Sequence, residues 1–340
     1  MRIFQIMAGS ENGGAEAFFT RLAPALGRAG VEQRVAVRRN AKRAKILSEA
    51  GIEPFELPFG GPLDIYTPFR LRREIKVFKP DIVLTWMNRA TIMCPPGEFV
   101  HVGRLGGYYD LKYYQGCDHL IGNTEDIVGH LIANDWPVDK AHYLPNFVSA
   151  ARAEPASRAA SFTPRGALLV LALGRLHQNK AFDVLFKAMA RVPDAYLWLA
   201  GDGLLRRELE DLAQKLGIKP RVRFLGWRDD VAALFSACDV FACPSRLEPL
   251  GNVVIEAWAQ KVSVVATDSL GPGTLIKHME TGVLVPVDDG AALGRALKLV
   301  LEDIDLRQRI ACDGHEVYQA KFTESVVVPQ YLDFFKRITA

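Results

Sequence analysis

Short apolar runs alternate with amphipathic stretches along the whole of this 340-residue chain, and this alternation constrains the fold more than any other feature. The runs are nearly continuous in Val, Ile, Leu, Ala and Phe, as expected for parallel strands that are buried on both faces. Regular strand–helix alternation is typical of crossover units. We therefore predict an α/β fold with parallel sheets that helices cover on both faces. The predicted strands are 3–7, 33–37, 82–86, 99–102, 119–122, 142–144, 167–173, 195–200, 221–225, 240–243, 263–266 and 282–285, and the predicted helices are 16–29, 69–78, 125–134, 182–190, 204–216, 253–259 and 291–302.

A change of composition near the middle divides the chain into two domains. Residues 149–165 are rich in Ala, Ser, Pro and Arg and lack a periodic apolar face, which is typical of a linker. We predict one Rossmann-like domain over 1–148, a linker over 149–165 and a second such domain over 166–325. Because doubly wound sheets bind ligands outside the carboxyl ends of their strands, two facing domains would place the site in a central cleft.

Composition excludes several classes of protein. The net charge of +3 is too small for a protein built around nucleic acid. The five cysteines show neither CxxC spacing nor a nearby histidine, which argues against a disulfide framework and against a zinc site. The opening residues do not resemble a secretory signal, and no apolar run approaches the ~20 residues of a membrane span. We therefore expect a cytoplasmic protein.

The first motif consists of Gly13 and Gly14, directly after the first strand and at the start of a helix. Glycines there let a ligand approach the backbone, and a helix N-terminus attracts an anion. The GxGxxG spacing of a nicotinamide-binding fold is absent, so we do not expect that cofactor. Glu16 is more consistent with a dipole partner of the helix than with a catalyst.

The second motif, Gly174–Lys180, follows the most apolar strand of the second half. Arg175 and Lys180 are five residues apart at the end of that strand. A guanidinium fork beside a point charge suits the oxygens of a diphosphate.

The third motif, 244–257, is the most specific. Glu248 lies in the loop after strand 240–243, and Glu256 lies on the next helix. Carboxylates are good acceptors for the vicinal hydroxyls of sugars. Backbone amides at the start of that helix suit a phosphate or a sugar oxygen, and they belong to Gly251, Asn252 and Val253.

Together these motifs resemble the group 1 glycosyltransferases, a family of retaining nucleotide-sugar enzymes with the GT-B fold. The resemblance covers the whole chain and rests on the ordered set Gly13–Glu16, Pro145-Asn146, Gly174–Lys180, Gly201–Gly203 and the E-x7-E pair. It implies that Glu248 contacts the transferred sugar, that Glu256 holds the donor ribose, and that Arg175 and Lys180 bind the diphosphate. It also implies a contribution from the Gly14 amide, and a C-terminal helix within 326–340 that crosses back to the first domain.

Four residues are candidates for the group that assists at the anomeric centre. In similar proteins a histidine often stands at the cleft end of a first-domain strand, which makes His101 the first candidate. Arg104, Tyr108 and Tyr109 follow it closely and are the alternatives. We expect no metal, because Arg175, Lys180 and helix amides can neutralise a diphosphate. The DxD-like Asp303-Ile304-Asp305 fits the end of a helix better than a metal site.

The segment 21–79 is strongly basic. It has thirteen Lys or Arg against six acids, so it carries +7 while the rest of the chain carries −4. With Phe69, Leu71, Ile75 and Phe78 interleaved, this segment suits an anionic membrane or an anionic lipid-linked acceptor. Ordinary solvated helices are the alternative.

We therefore predict a retaining, metal-independent glycosyltransferase without a cofactor. It would transfer a sugar from UDP, GDP or another nucleoside diphosphate to a hydroxyl of a bacterial surface glycan, such as the lipopolysaccharide core, or of a lipid-linked acceptor. It would be cytoplasmic and peripheral on the inner face of the membrane. The alternatives are a nucleotide-sugar epimerase of similar two-domain shape and a non-enzymatic two-domain sugar-binding protein.

Overall fold

The computed structural model describes residues 1–11, 13–61 and 63–340, and it divides them into two compact units. The first unit contains Met1–Phe147 and Glu324–Ala340, and the second contains Val148–Thr323. Each unit has one sheet, and all strand pairs are parallel. Within these described residues, no helix is both long enough and apolar enough to cross a membrane.

The first unit has a seven-stranded sheet in the order β3-β2-β1-β4-β5-β6-β7. Its strands are β1 (Arg2–Met7), β2 (Glu32–Arg38), β3 (Phe55–Leu57), β4 (Ile82–Trp86), β5 (Val100–Leu105), β6 (His119–Gly122) and β7 (Ala141–Tyr143). Its helices are α1 (Gly14–Arg28), α2 (Ala41–Glu49), α3 (Tyr66–Phe78), α4 (Met87–Met93), α5 (Glu125–Ala133) and the C-terminal α13 (Glu324–Thr339). Helices α1, α2 and α13 pack on one face of the sheet, and α3 and α4 pack on the other.

The second unit has a six-stranded sheet in the order β10-β9-β8-β11-β12-β13. Its strands are β8 (Leu168–Leu173), β9 (Ala195–Ala200), β10 (Val222–Gly226), β11 (Val240–Cys243), β12 (Ser263–Thr267) and β13 (Val283–Val285). Its helices are α6 (Phe182–Met189), α7 (Arg206–Lys215), α8 (Val231–Ala237), α9 (Asn252–Ala259), α10 (Leu270–Leu275), α11 (Gly290–Glu302) and α12 (Ile304–Lys321). Apolar cores lie on both faces of this sheet.

The segment that the sequence predicts as a linker, 149–165, belongs to the second unit. Its Arg158 donates hydrogen bonds to the carbonyl of Ala237 at 2.7 Å and to the carboxylate of Asp239 at 3.1 Å. The hydroxyl of Thr163 accepts a hydrogen bond from the buried indole of Trp198 at 2.9 Å. These bonds hold a segment without periodic apolar residues against the sheet.

Candidate active site

The two central strands of the second sheet, β8 and β11, mark the point at which the strand order reverses. The chain runs outward from β8 to β9 and β10 on one side, and from β11 to β12 and β13 on the other. The loops that follow β8 and β11 therefore diverge at the carboxyl edge of the sheet, where open α/β sheets bind ligands. Both predicted donor motifs of the second unit lie on these loops.

Gly174, the first residue after β8, has a left-handed φ of 148°. A Cβ atom there would lie only 3.0 Å from Cε of Lys180, so the missing side chain makes room for the lysine. Gly201, just after β9, lies even closer to the backbone of this loop. A Cβ atom added at Gly201 would lie 1.9 Å from the carbonyl oxygen of Gly174. These two glycines allow the loop after β8 to fold back over the edge of the sheet.

Lys180 and Glu248 form an ion pair between the two loops. The ammonium of Lys180 donates a hydrogen bond to Oε2 of Glu248, which also accepts one from the hydroxyl of Ser245 at 3.4 Å. The side chains are only 21% and 16% exposed, so water screens the pair weakly. Burial alone would lower the pKa of Lys180, but the carboxylates of Glu248 and Glu256 outweigh it and raise that pKa above its ordinary value.

Arg246 connects the same loops through a second set of contacts. Its backbone amide donates to the carbonyl oxygen of Asn179 at 2.8 Å. Its guanidinium donates to both carboxylate oxygens of Asp183, at 3.0 and 2.8 Å, and to Asp288 at 2.5 Å. Sequence reasoning missed this role, because Asp183 and Asp288 are 63 and 42 residues away from Arg246.

The loop after β11 ends at Gly251, whose left-handed φ of 80° turns the chain into α9. The carbonyl oxygen of Glu248 accepts a hydrogen bond from the amide of Gly271 at 2.7 Å, which fixes the loop against the start of α10. Asn252 and Val253 form the first turn of α9 and are partly exposed. Glu256 follows one turn later, also partly exposed, although its neighbours along the helix are buried.

The structure thus brings the predicted donor residues of the second unit to one edge of its sheet. Arg175 is exposed on the loop after β8, while Lys180 is largely covered beside Glu248. The edge combines two cations, two carboxylates and the N-terminus of an eight-residue helix. This combination of groups suits a ligand that carries both an anionic group and hydroxyl groups.

In the first unit, Gly13 stands just before α1, and Gly14 is the first residue of that helix. The carboxylate of Glu16 folds back over this loop and accepts hydrogen bonds from the amide and the hydroxyl of Ser10 at 2.6 and 3.0 Å. A Cβ on Gly9 or Gly13 would lie 2.3 Å from an oxygen of Glu16. The structure therefore gives these two glycines the role of admitting a buried carboxylate.

His101 requires a correction, because it does not lie at the carboxyl edge of the first sheet. It is the second residue of β5, close to the amino end, and it is buried. Its ring nitrogens lie 3.1 Å from the hydroxyl of Thr85 and 3.0 Å from the carbonyl oxygen of Gly116. Burial also lowers its pKa, which keeps the ring neutral. His101 is a core residue and cannot reach a ligand at the opposite edge.

Of the three alternatives, Arg104 is also buried inside the first unit. Its guanidinium donates to the hydroxyl of Tyr331 on α13 at 2.9 Å and to the side-chain oxygen of Asn146. It lies 4.6 Å from the ring centres of both Phe18 and Trp86. These contacts favour a role in holding α13 and the chain near Asn146.

The remaining alternatives are partly exposed tyrosines that follow β5. The hydroxyl of Tyr108 donates to Asp126, and burial together with this carboxylate raises its pKa. Burial raises the pKa of Tyr109 as well, with a further contribution from Glu16. A role of either tyrosine at the anomeric centre stays a prediction.

The described residues contain no group of three or more His, Cys, Asp or Glu side chains that would hold a metal ion. Asp303, the first residue of the DxD-like sequence, accepts a hydrogen bond from the amide of Leu306 at 2.9 Å and caps α12. Its carboxylate therefore has a structural function at a helix end.

Comparison with known proteins identifies the family. A family described as group 1 glycosyl transferases matches residues 154–316, and one described as glycosyltransferase family 4 matches residues 12–152. Two proteins of Rhizobium meliloti (strain 1021), the lipopolysaccharide core biosynthesis glycosyltransferases LpsE and LpsD, are 35% and 34% identical to the chain. The LpsE match covers 95% of both chains, and the LpsD match covers 99% of this chain and 98% of the relative.

Among solved structures, Anabaena HepE in complex with UDP-glucose is similar in fold. The TM-score is 0.85 at 20% identity, over 99% of this chain and 100% of that one. The two parallel-sheet units and this similarity confirm the predicted GT-B fold. The relatives are transferases, and they support neither the epimerase nor the binding-protein alternative. The chain is therefore an enzyme with the GT-B fold and belongs to the group 1 glycosyltransferases, together with the lipopolysaccharide core enzymes of Rhizobium.

Proposed function

We propose that this glycosyltransferase is retaining and metal-independent, and that it moves a sugar from a nucleoside diphosphate to a hydroxyl of a lipopolysaccharide-type glycan. The observation that carries the donor assignment is the Lys180–Glu248 pair at the carboxyl edge of the second sheet. In this pair, an ammonium that suits a diphosphate lies beside a carboxylate that suits the hydroxyls of a sugar. Arg175, Glu256 and the start of α9 lie on the same two connections.

The diphosphate would be held by Arg175, by Lys180 and by the amides of Gly251, Asn252 and Val253 at the start of α9. Negative charge grows on the leaving diphosphate as the bond to the sugar breaks. Cations and amides that are already in place stabilise this charge in the transition state without reorganising. Such an arrangement does the work that a metal ion does in other enzymes, which is why we propose a reaction without one.

The two carboxylates would hold the hydroxyls of the donor. Among the described residues, the carboxylate of Glu248 accepts hydrogen bonds through Oε2, so Oε1 is available to a sugar hydroxyl. Glu256 lies on α9, one turn after Asn252, and would accept hydrogen bonds from the ribose. Retention of the anomeric configuration is the property of the group 1 family that the E-x7-E pair suggests.

The acceptor assignment is supported by the relatives, which are named as lipopolysaccharide core enzymes. A nucleotide-sugar donor is supported by HepE, which was solved with UDP-glucose. We propose that the acceptor is a bacterial surface glycan or a lipid-linked precursor, and that the reaction takes place at the cytoplasmic face of the membrane.

The test uses the purified full chain. A thermal-shift screen over nucleotides and nucleotide sugars first identifies the donor, because a ligand at 100 times its Kd stabilises the protein by about 2.7 kcal/mol. The donor is then supplied with a core oligosaccharide in the presence of EDTA, and the product is examined by proton NMR. We expect transfer to continue in EDTA and the new bond to have the anomeric configuration of the donor. An inverted product would overturn the retaining mechanism, and loss of activity that Mg²⁺ restores would overturn metal independence.

A further inference from the structure

The connection from β3 to α3 exposes four large apolar side chains in a short stretch of the first unit. Leu63 is 94% exposed, Ile65 84%, Phe69 64% and Tyr66 52%. A single exposed apolar residue is ordinary, but a contiguous exposed group marks an interaction site. We call these four residues the apolar rim. Because it follows the carboxyl end of β3, the rim lies at the same edge of the sheet as the glycine-rich loop after β1.

Helix α3 separates its apolar residues onto two faces. Leu71 and Ile75, which the sequence suggested as part of a membrane face, are buried against the sheet, and Phe78 is mostly covered. Phe69 projects on the opposite side, and Arg73 and Lys76 follow it at spacings of four and seven residues. Residues at these spacings share one face of a helix, so the rim continues into a basic surface.

The basic surface consists of Arg72, Arg73 and Lys76, all exposed. In the part of the chain that the structure describes, these three form no ion pair, whereas Arg70 is paired with Glu74 at 3.1 Å. The basic residues of α1 and α2 do not extend this surface, because these helices pack on the opposite face of the sheet, whereas Arg34 of β2 reaches α3 and pairs with Glu74 at 2.9 Å. The charge excess of the segment is therefore divided between two faces, and the most exposed apolar side chains lie on the α3 face, since Ile46 on α2 is only 38% exposed.

We propose that the apolar rim and the basic surface of α3 dock the enzyme on an anionic lipid bilayer. Leu63, Ile65, Tyr66 and Phe69 would enter the interface, and Arg72, Arg73 and Lys76 would bind lipid headgroups. An apolar group beside unpaired cations matches the interface of such a membrane, with acyl chains beneath negative headgroups. This orientation turns the carboxyl edge of the first sheet toward the lipid. The inference goes beyond the proposed reaction and depends on neither the donor nor the chemistry.

The test is co-sedimentation of the full chain with vesicles of phosphatidylcholine alone or mixed with phosphatidylglycerol. We expect binding only to the anionic vesicles, and a steep decrease with salt. The triple variant R72Q/R73Q/K76Q removes the cations but keeps good helix formers. Its affinity should fall about a hundredfold at low salt, at roughly fivefold for each cation. The control R28Q/K42Q/K45Q makes the same charge change on the opposite face and should bind like the wild type.

The variant L63S/I65S/F69S tests the rim. It should keep its thermal midpoint, because these side chains are exposed, and it should bind anionic vesicles more weakly than the wild type at low salt. A second copy of the chain could cover this surface instead of a membrane. Size-exclusion chromatography of all variants tests for such self-association. The proposal is wrong if wild-type protein ignores anionic vesicles at low salt, if the control loses as much binding as the α3 variant, or if the rim variant changes only the oligomeric state.

Discussion

The ammonium of Lys180 donates a hydrogen bond to Oε2 of Glu248, although the two residues are 68 positions apart in the sequence. They meet because β8 and β11 are neighbours at the point where the strand order reverses, so that the loops following them share one edge. The cation that we propose for the diphosphate and the carboxylate that we propose for the sugar are thus paired with each other.

This pair predicts a pH dependence of stability. Because the folded-state pKa of Lys180 is raised above the ordinary lysine value of 10.5, its contribution is fully present below pH 10.5. It is lost as the pH rises through the folded pKa. We expect the difference in unfolding free energy between wild type and Lys180→Met to shrink in this range, measured by urea unfolding from about pH 8 to about pH 12. A difference that stays constant over the range would contradict the raised pKa.

Arg175 should affect turnover and not stability. It is exposed on the loop after β8, so its replacement by Ala leaves the core unchanged, but it removes a cation from the leaving diphosphate. We expect kcat to fall by about a hundredfold or more, at an unchanged thermal midpoint. The matched control is Arg207→Ala, an exposed arginine on α7, which should keep full activity. Normal turnover of the Arg175 variant with saturating donor would remove this residue from the site.

Arg246 should act by positioning Lys180 and Glu248. A lysine at this position cannot donate to both oxygens of Asp183 and to Asp288 at once, so the two loops would shift. Since small displacements of reacting groups can cost about a hundredfold in rate, we expect Arg246→Lys to lower kcat/KM by about ten- to a hundredfold. Asp183→Asn should act similarly, and the double variant should lose little more than either single one. Additive losses would show that Arg246 acts independently of Asp183.

Replacing Lys261 with glycine should stabilise the folded protein. It has a left-handed φ of 57°, and its amide donates to the carbonyl oxygen of Trp258. The amide of Val262 donates to the carbonyl oxygen of Ala257. These two hydrogen bonds form the Schellman ending of α9, which favours glycine at the position of Lys261. Lys261→Gly should raise the unfolding free energy by about 0.5–1 kcal/mol, measured by urea unfolding. Lys261→Ala retains a Cβ, and an equal gain there would contradict the backbone explanation.

The strongly apolar elements could be predicted from the sequence because buried parallel strands produce continuous apolar runs, as in Ile82–Trp86. The three-residue edge strand β3 was missed, since it has only one buried residue, Leu57. Helix α2 was missed for a similar reason: its only buried residues are Arg43 and Leu47.

The candidate site was predictable where residue type and motif order determine the chemistry, as for Glu248 and Glu256. A role could not be predicted where it depends on the position of a residue along its strand. His101 lies on a central strand, but only the register shows that it is at the amino end. The role of Arg246 depends on contacts with distant residues, which local patterns do not contain.

The central claim is that a nucleoside diphosphate binds at the carboxyl edge of the second sheet, with its ribose on Glu256. Isothermal titration of UDP and GDP into the wild type, Glu256→Gln and the control Glu208→Gln tests it most directly. Glu208 is an exposed carboxylate on α7, and its variant should bind like the wild type. Glu256→Gln should weaken binding of the preferred nucleotide by about 1–3 kcal/mol, because a charged acceptor for the ribose hydroxyls is lost. An unchanged affinity of the Glu256 variant, measured at an unchanged thermal midpoint, would contradict the account.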